Sequence, residues 1–276
     1  MSRMQSILEK AEREGAVMRV RSRPDQAGVV PSPASVEMSV AAMPGAASAM
    51  GVTGQAEVAP VARTSPAIRL NRALVAAASS ECAAAEQYRA LCTRIAHADQ
   101  GAATSIVLIT SPGAREGKSL TAANLALTMA REYRRPTCIV DANLRSPRVQ
   151  ELFGLPDGPG LSDVLAGRAS LEEALTTIEN LGVTVLPSGA CPQHPAELLG
   201  SPLMRQTLES LRVHFDRIIV DTSAALARAD LGLLTPLVDR IVLVVRAGVT
   251  AKASITDVVS TLDATRLLGV VLNEAA

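Results

Sequence analysis

The sequence has almost no aromatic residues: two Phe, two Tyr and no Trp in 276 positions. Proteins that stack single-stranded bases need such rings, so that class is excluded. There is no net charge either. Lys+Arg and Asp+Glu both count 27, and no basic patch is present to track a phosphate backbone, so no nucleic-acid partner is expected. No apolar run approaches the length that spans a bilayer. The opening MSRMQSILEKAEREG places Glu9, Lys10 and Glu12 where a signal peptide needs an apolar stretch, and a cytoplasmic protein is expected. The four cysteines, Cys82, Cys92, Cys138 and Cys191, show no C-x-x-C spacing; in a reducing compartment they read as small buried hydrophobes. The three histidines lack metal-site spacing.

What is present falls into three stretches. In residues 1–23, Met4, Ile7, Leu8 and Ala11 recur at helical spacing over residues 4–18, and Arg19, Arg21 and Arg23 follow. This predicts an amphipathic helix that docks on its own domain, on a partner or on a membrane surface. Residues 24–66 are rich in Pro, Gly, Ser and Ala without a regular period, the composition of a flexible linker. Residues 67–276 read as one domain. It opens with a helix over 80–97, capped by Ser79 or Ser80, with Ala84, Tyr88, Leu91 and Ile95 on one stripe.

Six β-branched runs follow: 104–110, 137–141, 182–187, 217–221, 240–246 and 267–273. Continuous apolar runs of this length predict strands buried on both faces. Helices are predicted between them over 118–132, 196–213 and 251–266, with a short one at 171–177. Strands alternating with helices give an α/β fold, a mostly parallel sheet covered by helices on both faces.

The stretch SPGAREGKSLTAANLALTMA follows the first strand and opens a helix, which is the context a P-loop requires. Gly117, Lys118 and Ser119 form its G-K-S core. The backbone N–H groups of residues 114–119 can converge on an anion at a helix N-terminus. Lys118 would reach the β- and γ-phosphates of ATP, and Ser119 would offer its hydroxyl to Mg²⁺. Pro112 stands at the first glycine of the usual pattern, with Gly113 next. Two further strands end in acids, Asp141 in CIVDANLRSP and Asp221 in RIIVDTSAA. Ligands of open α/β sheets sit at that edge, and an acid there is a Mg²⁺ holder in P-loop proteins.

G-K-S, then strand-D-x-N-x-R-x-P, then strand-D-T resembles the bacterial tyrosine kinases of capsule and exopolysaccharide synthesis. EQYRALCTRI, ELFGLPDGPGLSDVLAG, LPSGACPQHPAELLGSPLM, ADLGLLTPLVDRIVLVVRAGVT and LLGVVLN extend the likeness from about residue 80 to the end. The first residues resemble autokinases encoded beside exosortase-type loci. The resemblance implies a P-loop ATPase fold, with ATP and Mg²⁺ as cofactors. It implies that Gly113, Ala114, Arg115, Glu116, Gly117, Lys118, Ser119 and Leu120 cradle the phosphates. Asp141 would accept the proton of a tyrosine hydroxyl, and Asp221 would be the second strand-end acid. Arg145 would complete the motif after Asp141, and Asn273 would contact the adenine. Ser119, Asp141, Asn143 and Asp221 would hold the metal. A membrane-bound polysaccharide co-polymerase or chain-length protein would be the partner, recruiting the chain to the inner face of the plasma membrane.

Four departures qualify what the resemblance implies. Asn143 replaces a second acid, which lowers the charge offered to metal. Ser223 and Ala224 follow Asp221-Thr222 where the family has prolines. The oligomerisation motif of the family reads Glu86, Arg89 and Cys92 here, without its last arginine, so homo-oligomer assembly is weakened. The sequence ends in NEAA without a tyrosine cluster, so autophosphorylation of the family's usual kind is not expected. Tyr88 reads as core and Tyr133 as a turn residue. Two other functions compete: a non-catalytic, nucleotide-dependent regulator of the membrane partner, and a septum- or plasmid-positioning ATPase. The latter carries an extra lysine early in the P-loop, absent from SPGA here.

Overall fold

The computed structural model describes residues 17–20, 63–64, 70–78, 82–227 and 230–274. Its strands are β1 (Val17–Val20), β2 (Arg63–Thr64), β3 (Ser105–Thr110), β4 (Thr137–Asp141), β5 (Thr176–Ile178), β6 (Val183–Leu186), β7 (Arg217–Asp221), β8 (Arg240–Arg246) and β9 (Leu267–Asn273). They form one sheet in the order β1-β9-β8-β3-β7-β4-β6-β5-β2. Every pairing is parallel except β5 with β6. The mostly parallel α/β sheet read from the sequence is thus the observed one.

Strand β3 shows how the core is divided. All six of its residues are buried. Val107 and Ile109 join one apolar cluster, and Ile106 and Leu108 the other, as the two-residue period of a strand requires. The first cluster lies under α1 (Val75–Ala78), α2 (Ala83–Ala98) and α3 (Lys118–Arg131). Tyr88, Leu91 and Ile95 supply α2's part of it. The second cluster takes Leu161 and Leu165 from α5 (Leu161–Leu165), which follows α4 (Val149–Phe153). After α6 (Leu171–Ala174) it takes Leu199 from α7 (Pro195–Leu199) and Met204, Leu208 and Leu211 from α8 (Pro202–His214). Leu231 and Leu234 of α9 (Asp230–Leu234) and Val258 of α10 (Lys252–Thr261) complete it. Each fully buried Leu, Ile or Val in these layers contributes about 1.5–3 kcal/mol by leaving water.

Several sequence expectations need correction. The helix expected at 171–177 stops at Ala174; Ser170 and Glu173 form its capping box, and the β-branched run Thr176–Ile178 becomes β5. The helix expected at 196–213 is two helices. Pro202 opens the second and holds Ser201 extended, at ψ 155°. The helix expected at 251–266 ends at Thr261, and Asp263 then caps a turn by accepting the Thr265 N–H at 2.9 Å. Of the stretch expected to be an amphipathic helix, Val17–Val20 are described, and they are a strand parallel to β9. Residues 1–16 lie outside the described residues. Within the expected linker, Arg63–Thr64 pair with β5, and the rest of it lies outside the described residues. The cap of α2 is Cys82, whose sulfur accepts the Ala85 N–H. Ser79 and Ser80, the expected caps, are outside the described residues. Cys92 and Cys138 are buried as expected, but Cys82 is half-buried and Cys191 exposed.

Gly160 marks where two loops meet. A Cβ there would lie 2.2 Å from the Gly189 nitrogen and 2.4 Å from the Pro187 carbonyl oxygen, both backbone atoms. The Leu161 and Ser162 N–H groups donate across this junction to Pro187 and Ser188. Gly160→Ala is therefore expected to destabilise the domain by more than about 2 kcal/mol. Urea unfolding checks this, and an unchanged midpoint would contradict it.

Candidate functional site

Parallel pairing brings the carboxyl ends of β3, β4, β7, β8 and β9 to one edge, and the functional residues collect there. Asp141 and Asp221 are register partners on adjacent strands. The loop after β3 starts with Ser111, whose hydroxyl donates to the Gly113 carbonyl at 2.6 Å. Arg115 and Gly117 both take left-handed backbone conformations, at φ 61° and 91°. Glycine is required at 117 for a second reason, because a Cβ there would lie 2.0 Å from Asn273 Nδ2. Lys118 is the first residue of α3 and is buried, while Ser119 is half-buried. Ala114 and Arg115 are exposed at the loop tip, and Leu120 packs on the core beneath. Asn273, at the end of β9, donates from Nδ2 to the Glu116 carbonyl at 3.1 Å.

The segment after β7 is fastened to this loop. Thr222 donates its N–H and hydroxyl to the Ile109 carbonyl, and the N–H groups of Ala225 and Leu226 donate to the Ser111 and Pro112 carbonyls. Asp221 is completely buried, and neither carboxylate oxygen has a hydrogen-bond partner of good geometry. Burial and the charge of Asp141 push its pKa up, while Ser119, Lys118 and the Thr222 N–H pull it back. Asp141 is equally buried. Its Oδ1 accepts the Asn143 N–H at 3.1 Å, and its Oδ2 accepts those of Arg148 and Val149, both at 3.0 Å. Burial raises its pKa too, opposed by these three bonds and by Lys118. Two buried carboxylates therefore share one lysine.

Asn143 is buried, and its Nδ2 donates to the Ser146 carbonyl at 2.7 Å. Arg145 lies beside Asp230, with Nε 3.8 Å from Oδ2. The same Asp230 oxygen accepts the Ser223 hydroxyl at 2.9 Å, so the serine that replaces a proline has a partner. Asp230 is 2% exposed, and its other oxygen has no hydrogen bond. Sequence reasoning missed it because an acid at the start of a short helix reads as an ordinary cap. It also missed Thr250, whose hydroxyl donates to Glu116 Oε1 at 2.6 Å. The structure thus brings all the predicted P-loop residues, both strand-end acids and Asn273 to one edge, with Arg145 turned toward Asp230.

On α2, Arg89 pairs with Glu86 at 2.5 Å and with Glu132 at 3.0 Å. Cys92, at the missing arginine's place, is 2% exposed in the core. Tyr88 is likewise core. Tyr133 is exposed, in the bend after α3, where its hydroxyl donates to the Arg89 carbonyl.

No family model matches the chain. Sequence and structure relatives do. It is 36% identical over 208 residues to tyrosine-protein kinase YwqD of Bacillus subtilis (strain 168), covering 74% of this chain and 87% of that one. It is 32% identical over 216 residues to the succinoglycan biosynthesis transport protein ExoP of Rhizobium meliloti (strain 1021), of whose length it spans 27%. Among solved structures, the chimerical protein CapA2B2 superposes with a TM-score of 0.70 at 29% identity, over 78% of this chain and 94% of that one. The septum site-determining protein MinD of Pyrococcus horikoshii OT3, complexed with Mg-ADP, reaches 0.50 at 25% identity over 62% of this chain and 70% of its own. The phosphate loop, the paired strand-end acids and these likenesses converge, and the chain belongs to the bacterial tyrosine kinase family of capsule and exopolysaccharide synthesis.

Proposed function

We propose that the chain binds ATP with Mg²⁺ at this sheet edge and transfers the γ-phosphoryl group to a tyrosine hydroxyl of a partner protein, regulating polysaccharide synthesis and export. The observation that carries this reading is the register pair Asp141–Asp221 beside Lys118 and the loop of residues 113–119. Two buried carboxylates with a single lysine are short of positive charge, and neither Asp221 oxygen has a hydrogen bond of good geometry. A divalent cation fits that deficit. Ser119 and Asp221 would hold it, with Asp141 and Asn143 alongside. When bound, Mg²⁺ neutralises charge on the phosphate oxygens.

The remaining work falls to the chain's own groups. Lys118 and the loop N–H groups orient the β- and γ-phosphates. Asn273, packed on Gly117, borders the nucleotide on the β9 side. Asp141 accepts the tyrosine proton as the phenolic oxygen bonds to the γ-phosphorus and the bond to ADP breaks. Arg145 would leave Asp230 to meet the phosphoryl group. Equilibrium dialysis with ATP, with and without Mg²⁺, tests the binding half. Saturable binding strengthened by Mg²⁺ is expected; no binding of ATP would overturn the reading.

Asn143 offers a further check. Asn143→Asp adds a carboxylate near the metal but loses the 2.7 Å bond to Ser146 and sets an oxygen against that carbonyl. We expect about tenfold tighter Mg²⁺ dependence of nucleotide binding, at a stability loss of about 1 kcal/mol. An unchanged Mg²⁺ dependence would place residue 143 outside the metal site.

One observation favours a second reading. Both oxygens of Asp141 are already bonded to backbone N–H groups, and Asn143 brings no charge. A chain with these features could use the nucleotide as a switch that docks it on its partner without phosphoryl transfer. No helix among the described residues is long and apolar enough to cross a membrane. The proposed partner is a membrane-bound co-polymerase or chain-length protein, met at the cytoplasmic face. Residues 1–23 are the proposed contact.

A further inference from the structure

The phosphate loop contains a carboxylate that the proposed reaction does not use. Glu116 is 6% exposed. Its Oε2 accepts the Gly113 N–H at 3.0 Å, and its Oε1 accepts the Thr250 hydroxyl at 2.6 Å. The Thr250 oxygen in turn accepts the Arg246 N–H at 3.0 Å. The Glu116 carbonyl accepts Asn273 Nδ2. One residue therefore joins the phosphate loop to the turn after β8 and to the end of β9.

Among the described residues, no lysine or arginine lies within ion-pair distance of this carboxylate. Arg246, whose N–H meets Thr250, has its side chain paired with Glu274 at 2.7 Å. A loop built to hold an anion thus carries a buried carboxylate that, among the described residues, has no ion-pair partner. That charge opposes the charge of a bound nucleotide. The two hydrogen bonds act the other way, because they fix the loop before the ligand arrives.

We propose that Glu116 is the positioning residue that sets nucleotide affinity and release. Its hydrogen bonds hold the loop in its binding conformation, and its charge keeps the complex from becoming too tight to discharge ADP. The inference rests on the reading that the loop binds ATP. It separates two effects of one side chain, and two substitutions resolve them. Glu116→Gln keeps an oxygen for the Gly113 N–H and an amide donor for the Thr250 oxygen, but removes the charge. Glu116→Ala removes both.

The test follows release of a fluorescent ADP analogue by stopped flow, and amide hydrogen exchange of the nucleotide-free proteins. Glu116→Gln is expected to release the analogue about tenfold more slowly than wild type, with unchanged exchange at Gly113 and residues 246–250. Glu116→Ala is expected to bind about tenfold more weakly, with faster exchange at those amides. Thr250→Val, which breaks the tie to the turn and also removes the acceptor of the Arg246 N–H, should move in the same direction as Ala. Release from the Gln variant as fast as from wild type would overturn the charge effect. Unchanged exchange in the Ala variant would overturn the tie. A wild-type protein that binds no analogue overturns the nucleotide reading and this inference with it, which distinguishes that failure from the other two.

Discussion

Lys118→Met is expected to lower nucleotide-dependent phosphoryl transfer on the order of 10³-fold, with the domain still folded. Lys118 is 8% exposed and acts electrostatically on both Asp141 and Asp221. Methionine matches its apolar stem and fills the same space, so packing is kept. The charge is what is lost, and the two carboxylates are left facing each other. They respond by holding protons to higher pH than in the wild type. The sign of the stability effect follows. A carboxylate whose folded pKa is raised binds more protons folded than unfolded, so stability falls as the pH rises from the ordinary carboxylate range toward the raised value. Without Mg²⁺, the variant should be close to wild type in acid and about 1–3 kcal/mol less stable at mildly alkaline pH. Denaturant unfolding at a series of pH values measures this. A variant equally destabilised at every pH would mean that Lys118 acts through packing.

Asp221→Asn is expected to do two opposite things. It should cut phosphoryl transfer by at least about 10²-fold, since the site loses a metal-holding charge. It should also stabilise the nucleotide-free, Mg²⁺-free protein by about 1–2 kcal/mol at neutral pH. Asp221 is fully buried, its oxygens lack hydrogen bonds of good geometry, and burial together with Asp141 pushes its pKa up. Its ionised form is a cost to the fold that Lys118, Ser119 and the Thr222 N–H offset in part and a bound cation would offset further. By the same linkage, the gain should shrink in acid, where Asp221 is protonated in both states. Added Mg²⁺ should stabilise the wild type and leave the variant unmoved. A variant less stable than wild type in the absence of metal would contradict the assignment of Asp221 as a metal-holding acid.

These expectations depend on how the site is assembled, and the sequence revealed its parts unevenly. Strands β4, β7, β8 and β9 begin and end at the residues expected, because runs such as RIIVD and RIVLVVR are buried on both faces and have no competing helical period. β5 was hidden because it has three residues and follows LEEA, whose helix propensity dominates the window. The strand at Val17–Val20 was equally hidden, since it forms by pairing with β9, whose Asn273 is the register partner of Val20 at the other end of the sequence. Within the site, the P-loop was legible because its chemistry is contiguous. Asp141 and Asp221 were legible because a strand ending in an acid is a local pattern. Asp230, Thr250 and the side-chain role of Glu116 were not, because each acts through a partner distant in sequence, as Asp230 does on Arg145 and Thr250 on Glu116.

The most direct measurement incubates the purified full chain with γ-labelled ATP and Mg²⁺, with and without a membrane fraction, and follows both free phosphate and label on protein. The account predicts label on tyrosine that depends on the membrane fraction and disappears in Lys118→Met. ATP bound tightly, with neither label nor free phosphate, would contradict phosphoryl transfer and favour the reading of the chain as a nucleotide-gated regulator.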